Sequence, residues 1–566
     1  MNKVTLAGFL GSACLFSCSN AGQKNDNERP NILLIVLDDM GYSDIQPFGG
    51  EINTPNINKL AEDGICFTGF HTSSLSAPTR AMLLTGADNH QNGFGAMPPL
   101  HADNQYLKDG YEGYLNNRVI TLAEILRDNQ YYTCMSGKWH LGAGEGKSPY
   151  ERGFDNSFAM MGGGSGYFSN PFPECDADIP VTFYKENDRR IEELPDDFYS
   201  TRYFTDKIIE YINKCPDDKP FFGYYALTAP HDPLHVLPDW KEKYHGKYDC
   251  GYDSIHTMRI NRQKEIGIIP QSTSVDNLSG MYSKWADLNQ QQKKEQSRRM
   301  ELYAAMLEYA DFSIGRVINE LERLGKLDNT LIIFMSDNGA NPKEPEFYPG
   351  NTKEFISSRF NNSLDNYGNS DSFVTLGGAW AEICSTPYSL YKMTTCEGGI
   401  CTPLIISGKG VKMKNSIDTK SLIHVTDLYP TIMDYSGTTY PDIKDGTKTA
   451  PMYGKSLKNL LTSKDSVARG DEDVLCFEIN EDKAVIKGEW KAVNLNKPYG
   501  DGKTWKLYKY REDISEKHNL AEKNKEKLDE LLKEWDKYAT SVGYIPSDGS
   551  MTIKRIGAEQ FYKFGK

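Results

Sequence analysis

Two groups of oxygen-bearing side chains stand just past strongly apolar runs of this chain. Asp38-Asp39 follows Ile32-Leu33-Leu34-Ile35-Val36-Leu37, and Asp337-Asn338 follows Thr330 to Met335 (TLIIFM) closely. Each pair alone is an ordinary turn sequence. Together they offer three carboxylates and an amide, a hard donor set that suits Ca2+ or Mg2+ and not zinc. A third segment, Ser76-Ala77-Pro78-Thr79-Arg80 continuing to Leu84-Thr85-Gly86, reads as a short helix with proline near its start and glycine at its end. Ser76 then lies at the N-terminal end, where backbone N–H groups and the helix dipole favour an anion. Arg80 shares its face one turn along. Read alone, this segment is a capped helix beside an arginine.

These residues need a scaffold that gathers distant segments. The runs 32–37, Pro220 to Leu227 (PFFGYYAL), 330–335 and Pro403 to Ile406 suit strands buried on both faces of a parallel sheet. Between them, Thr121 to Asp128, Thr201 to Ile212 and Arg299 to Leu324 carry amphipathic helical periodicity. The alternation predicts an α/β sandwich, a large mixed, mostly parallel sheet between helices. In such a sheet ligands bind beyond the carboxyl ends of the strands. After about residue 440 the pattern changes. Val474 to Phe477, Lys483 to Ile486, Trp490 to Val493 and Trp505 to Tyr510 read as antiparallel strands. Leu528, Leu531, Leu532, Trp535 and Tyr538 then form a helical stripe, so 441–545 is expected to be a small α+β subdomain closed by a long helix, with 546–566 as a tail.

The 566 residues hold 64 Lys and Arg against 78 Asp and Glu, a net charge of -14, which argues against nucleic acid as a partner. A local cluster of cations can still attract a small anion. Residues 1–18 read as an export signal too short to span a membrane. Leu15-Phe16-Ser17-Cys18 is similar to the lipobox of bacterial lipoproteins, with Cys18 as the acylated residue; a plain signal peptide is the alternative. Residues 19–29 make a polar tether. The expectation is an exported bacterial lipoprotein, periplasmic or on the outer-membrane surface, touching membrane through a lipid anchor only. The 11 cysteines show no CxxC spacing, and most read as small buried apolar residues.

Across residues 29 to 543 the chain resembles the type I sulfatases of the alkaline phosphatase superfamily, and in particular their bacterial arylsulfatase branch. Ser76-x-Pro78-x-Arg80 with Leu84-Thr85-Gly86 fits their signature. Gly137-Lys138-Trp139-His140, Ala229-Pro230-His231, Ser336-Asp337-Asn338-Gly339, Glu397-Gly398-Gly399 and Lys487-Gly488-Glu489-Trp490-Lys491 match in order. Cys401 departs from the pattern, standing where the family often has arginine.

The resemblance implies a catalytic α/β domain over 30–440 of alkaline-phosphatase-like fold. It implies that Ser76 is oxidised to formylglycine (3-oxoalanine), one hydroxyl of whose hydrate attacks sulfur while the second later expels sulfate. Asp38, Asp39, Asp337, Asn338 and the modified Ser76 would hold Ca2+, with Mg2+ as the alternative. Arg80 and His140 would hold and deprotonate the nucleophile, Lys138, His231 and Lys392 would grip sulfate, and His231 would protonate the leaving oxygen. A serine at the modified position resembles sulfatases matured by an anaerobic radical enzyme, a transient partner. The expected substrate is a small sulfate ester, taken to be a sulfated galactose of mucin-type or polysaccharide chains, with aryl sulfate as the alternative. A phosphodiesterase or phosphonate monoester hydrolase of the same superfamily, and a non-enzymatic lipoprotein binding sulfated glycan, are the rival readings. Asp232, His235, His101 and Asp103, in or near the mouth loops, are expected at the surface.

Overall fold

The apolar run at 32–37 becomes the strand Asn31–Asp38, buried at every position. Its side chains alternate between two layers. Leu33, Ile35 and Leu37 pack in one core with the helices Ser200–Asn213 and Gln290–Arg323. Ile32, Leu34 and Val36 face the helices Ser76–Thr85, Leu122–Asp128 and Leu428–Ser436. Burial of both faces requires helices on both sides, so the sandwich follows from the strand composition. The computed structural model describes Met1 and residues 29–97, 100–169, 182–276, 278–348, 351–463 and 466–550. The expected export signal beyond Met1, Cys18, nearly all of the expected tether and the end of the tail lie outside the described residues. No helix among the described residues is long and apolar enough to cross a membrane.

Ten described strands form the main sheet. Its centre runs Thr330–Ser336, Asn31–Asp38, Phe221–Pro230, Tyr132–Lys138, all mutually parallel. Leu404–Gly408, expected as one more parallel strand, instead pairs antiparallel with Thr330–Ser336 and Gly64–Phe67. Its apolar composition reports burial, which says nothing of direction. Tyr132–Lys138 is fully buried yet was not evident as a strand, because Thr, Ser, Gly and Lys interrupt its apolar residues. The helix expected from Arg299 begins nine residues earlier, at Gln290. Its first turns are polar, and an Asn289–Gln292 capping box starts them.

The expected C-terminal antiparallel sheet and closing helix are present. Val474–Ile479, Asp482–Lys487, Trp490–Asn494 and Lys506–Tyr508 form an antiparallel sheet. One face packs under the helix Lys525–Val542 through Leu531, Trp535, Tyr538 and Val542; Leu532 is outside that contact. The other face carries Leu475, Phe477, Ile486 and Val493 against Cys396 and Ile400 of the catalytic layer.

Candidate active site

Parallel strands place their carboxyl ends on one edge, and four neighbours deliver the site. Leu37 sits opposite Ser336, which sets Asp38 and Asp39 beside Asp337 and Asn338. The next strand ends at Pro230 and is followed by His231, and the one beyond it ends at Lys138. Ser76 begins the buried helix that lies across this edge. Its Oγ is 3.0 Å from Asp38 Oδ1, 3.2 Å from Asn338 Oδ1 and 3.4 Å from Lys138 Nζ. Every predicted catalytic and metal residue is therefore brought to one edge.

The charges are tightly interleaved. Lys138 Nζ lies 2.7 Å from Asp38 Oδ2, and Lys392 Nζ 2.5 Å from Asp39 Oδ1. Burial alone would raise both aspartates, but Lys138, His231 and Arg80 around Asp38, and Lys392, His231 and Lys138 around Asp39, together hold them below the ordinary carboxylate value. Burial, with Arg80 and Lys392 nearby, lowers Lys138. Burial also opposes the charge of Lys392, yet Asp39, Asp38 and Asp337 raise it overall. His140 is held far below its ordinary value by burial and by the surrounding cations Lys138, Arg80 and Lys392. It is therefore a neutral imidazole, and its Nδ1 is buried without a hydrogen-bond partner.

Two of the implied roles look different in three dimensions. Arg80 directs Nε and Nη2 to Asp337 Oδ2, at 3.0 and 2.7 Å, and Nη1 to the Tyr224 hydroxyl. Its hold on Ser76 thus runs through the carboxylates. His231 Nδ1 donates to the Asp232 carbonyl at 2.7 Å, so Nε2, 3.4 Å from Asp39 Oδ2, is the atom left for chemistry.

The donor set fits a hard cation. Asp38, Asp39, Asp337 and Asn338 are all buried, and Asp39 Oδ2 accepts no hydrogen bond despite its burial. An ionised oxygen left in that state suits a cation.

Asp232 and His235, expected at the surface, are buried. Asp232 accepts from Asn341 Nδ2 and the Tyr348 hydroxyl, and His235 sits between the Tyr167 amide and the Ser372 carbonyl. Both serve the loops themselves. His101 is half-buried against Tyr106, and Asp103 is exposed. Sequence reading also missed Tyr224 beside Arg80, and Gly163, where a Cβ would stand 2.8 Å from the His140 ring. Period-two alternation puts Tyr224 on the same face as Phe222, toward the Ser76 helix, and would have found it; Gly163 left no signal. The eight described cysteines are free, all but Cys250 buried.

A family model described as Sulfatase matches residues 30–438. The chain belongs to the sulfatase family. This sulfatase is 40% identical over 465 residues to the arylsulfatase of Klebsiella aerogenes, covering 82% of the present chain and 98% of that one. It is 38% identical over 541 residues to an uncharacterized sulfatase of Schizosaccharomyces pombe, covering 94% and 97%. Among solved structures, Ps i-CgsB in complex with k-i-k-neocarrahexaose has the same fold, with a TM-score of 0.63 at 23% identity over 94% and 98% of the two chains. The sulfatase is thus a sulfuric ester hydrolase, and the phosphoryl-transfer and non-enzymatic readings are set aside.

Proposed function

We propose that this sulfatase hydrolyses small sulfate monoesters with Ser76, matured to formylglycine, as its nucleophile and Ca2+ as its metal. The observation that carries the reading is the placement of Ser76 Oγ at a helix start, among Asp38, Asn338 and Lys138. An unmodified serine has no second hydroxyl; formylglycine, once hydrated, supplies one for attack and one for release of sulfate. Asp38, Asp39, Asp337 and Asn338 would hold Ca2+, which supplies positive charge and Lewis acidity to the sulfate group.

The chain's own groups do the rest. Three fixed cations, Arg80, Lys138 and Lys392, face three carboxylates, so a divalent ion makes the pocket net positive toward a monoanionic ester. Lys138 and Lys392 orient the sulfate oxygens and stabilise the charge that grows in the transition state. His140, kept neutral, accepts the proton of the nucleophile. His231 delivers a proton from Nε2 to the departing oxygen, because its Nδ1–H is committed to Asp232.

Similarity to the K. aerogenes arylsulfatase over nearly its whole length supports an aryl sulfate as substrate. A second reading, a sulfated sugar, has its own support. The chain is 27% identical over 387 residues to an N-acetylglucosamine-6-O-sulfatase of Bacteroides thetaiotaomicron, and the lipobox-like segment suits a protein facing external glycans. The test is a panel of singly sulfated sugars, sulfated galactose included, beside 4-nitrophenyl sulfate, on protein co-produced with an anaerobic maturation enzyme. Mass spectrometry should find the Ser76 peptide two hydrogens lighter than serine. Full activity with an unmodified Ser76 would overturn the nucleophile, and inert sugars beside a fast aryl sulfate would overturn the glycan reading.

A further inference from the structure

The motif Lys487 to Lys491 has no part in the chemistry above, yet its last residue reaches far into the molecule. Lys491 lies on the strand Trp490–Asn494, on the face turned toward the catalytic layer, and is fully buried. Its Nζ is 2.6 Å from Glu397 Oε1 and 2.8 Å from Glu516 Oε1. Glu397 Oε2 meets His71 Nε2 at 2.9 Å, and the Glu397 amide donates to Glu516 Oε2 at 2.9 Å. Burial would raise the Glu397 carboxyl, but Lys491 and then His71 hold it at about 2.

Glu397 opens the turn on which three catalytic segments lean. His71 is five residues before Ser76, and Lys392 is five residues before Glu397. The Met393 amide donates to the Ser74 carbonyl at 2.9 Å, joining those two arms, and Thr72 donates to the Ile400 carbonyl at 2.7 Å. Gly339, beside Asn338, donates to the Gly399 carbonyl at 3.2 Å. A Cβ on Gly339 would stand 1.9 Å from the Gly398 oxygen, so the turn and the Asp337–Asn338 loop touch backbone to backbone. His71, Glu397 and Cys401 also come within mutual reach of a metal. Lys491 already neutralises Glu397, however, and burial keeps the Cys401 thiol protonated, so the cluster is an ion network.

We propose that Lys491 and Glu516, supplied by the C-terminal subdomain, are positioning residues for the sulfate ester. By clamping Glu397 they fix the turn that sets Lys392, Asn338 and the Ser76 arm relative to one another. The inference rests on the reading of Lys392 as a sulfate-gripping residue. Lys491→Met combined with Glu516→Gln removes one charge of each sign and keeps the Glu397–His71 pair. In full-length matured protein, KM for 4-nitrophenyl sulfate and the Ki of inorganic sulfate should both rise by about tenfold, since ångström-scale misplacement costs up to about 100-fold. Formylglycine content should equal that of wild type. A lower melting temperature with both constants unchanged would mean the subdomain is only a structural prop, and would overturn the proposal. Glu516→Gln alone, which keeps an acceptor for the Glu397 amide, covers the case in which the double variant does not fold. It should raise the sulfate Ki by about threefold by the same reasoning, and an unchanged Ki also overturns the proposal. Lys392→Ala in the same assay separates the two ideas. If it leaves Ki unchanged, the reading of Lys392 fails; if it raises Ki while the Lys491 and Glu516 variants do not, the positioning inference fails.

Discussion

Alkaline pH should loosen the contact between the Ser76 helix region and the C-terminal sheet, through His90. Its Nδ1 lies 2.9 Å from Asp88 Oδ1 and its Nε2 lies 2.6 Å from Glu478 Oε2, all three groups being buried. Burial opposes the imidazolium, but the two carboxylates prevail and raise its pKa from 6.5 to about 9. The rise is worth about 3 kcal/mol at about 1.4 kcal/mol per pH unit. A pKa raised by folding gives stability that is complete below the unfolded value. It is therefore present below pH 6.5 and lost as pH climbs through about 9. Urea denaturation followed by the fluorescence of Trp505 and Trp535, both in the C-terminal subdomain, should show this loss. Asp88→Asn with Glu478→Gln leaves His90 hydrogen-bonded but without charged partners, so that variant should be flat over the same window. An equal pH slope in wild type and variant would refute the assignment.

Removing divalent ions with a chelator should lower the melting temperature, because an ion held by Asp38, Asp39, Asp337 and Asn338 binds the folded site and not the unfolded chain. Saturating Ca2+ should restore it, with about 2.7 kcal/mol expected at one hundred times the dissociation constant, and an unresponsive melting curve would count against a metal there. His231→Gln should slow hydrolysis of an alkyl sulfate by about 100-fold or more, but that of 4-nitrophenyl sulfate far less, because nitrophenolate leaves without a proton. Equal losses on both substrates would remove His231 from the role of acid.

Part of the candidate site was legible because its oxygen donors sit just after apolar runs. Asp38-Asp39 and Asp337-Asn338 each follow a strand whose composition announces burial on both faces, and the sheet rule then places them at one edge; His231 was found only through resemblance. Lys138 was found only through resemblance, since its own strand has too mixed a composition to read as one. The buried part of Gln290–Arg323 was clear from its periodicity, whereas its polar first turns carry no core-facing pattern. Asp232 was misplaced for a related reason. A carboxylate reads as exposed unless its donors are seen, and these come from Asn341, Tyr348 and Leu376.

The sequence alone determined the layer architecture, the hard oxygen donor set and Ser76 at a helix start. Each depends on residue type and on spacing along one segment. Only the tertiary structure decided that Arg80 grips Asp337, that His231 presents Nε2, and that Lys491 enters the catalytic layer to hold Glu397. Those facts rest on contacts between segments 94 to 257 residues apart, or on which ring atom a neighbouring carbonyl captures. Neither leaves a local pattern, because such a pairing is set by where the folded strands end and not by what flanks the residue in the chain.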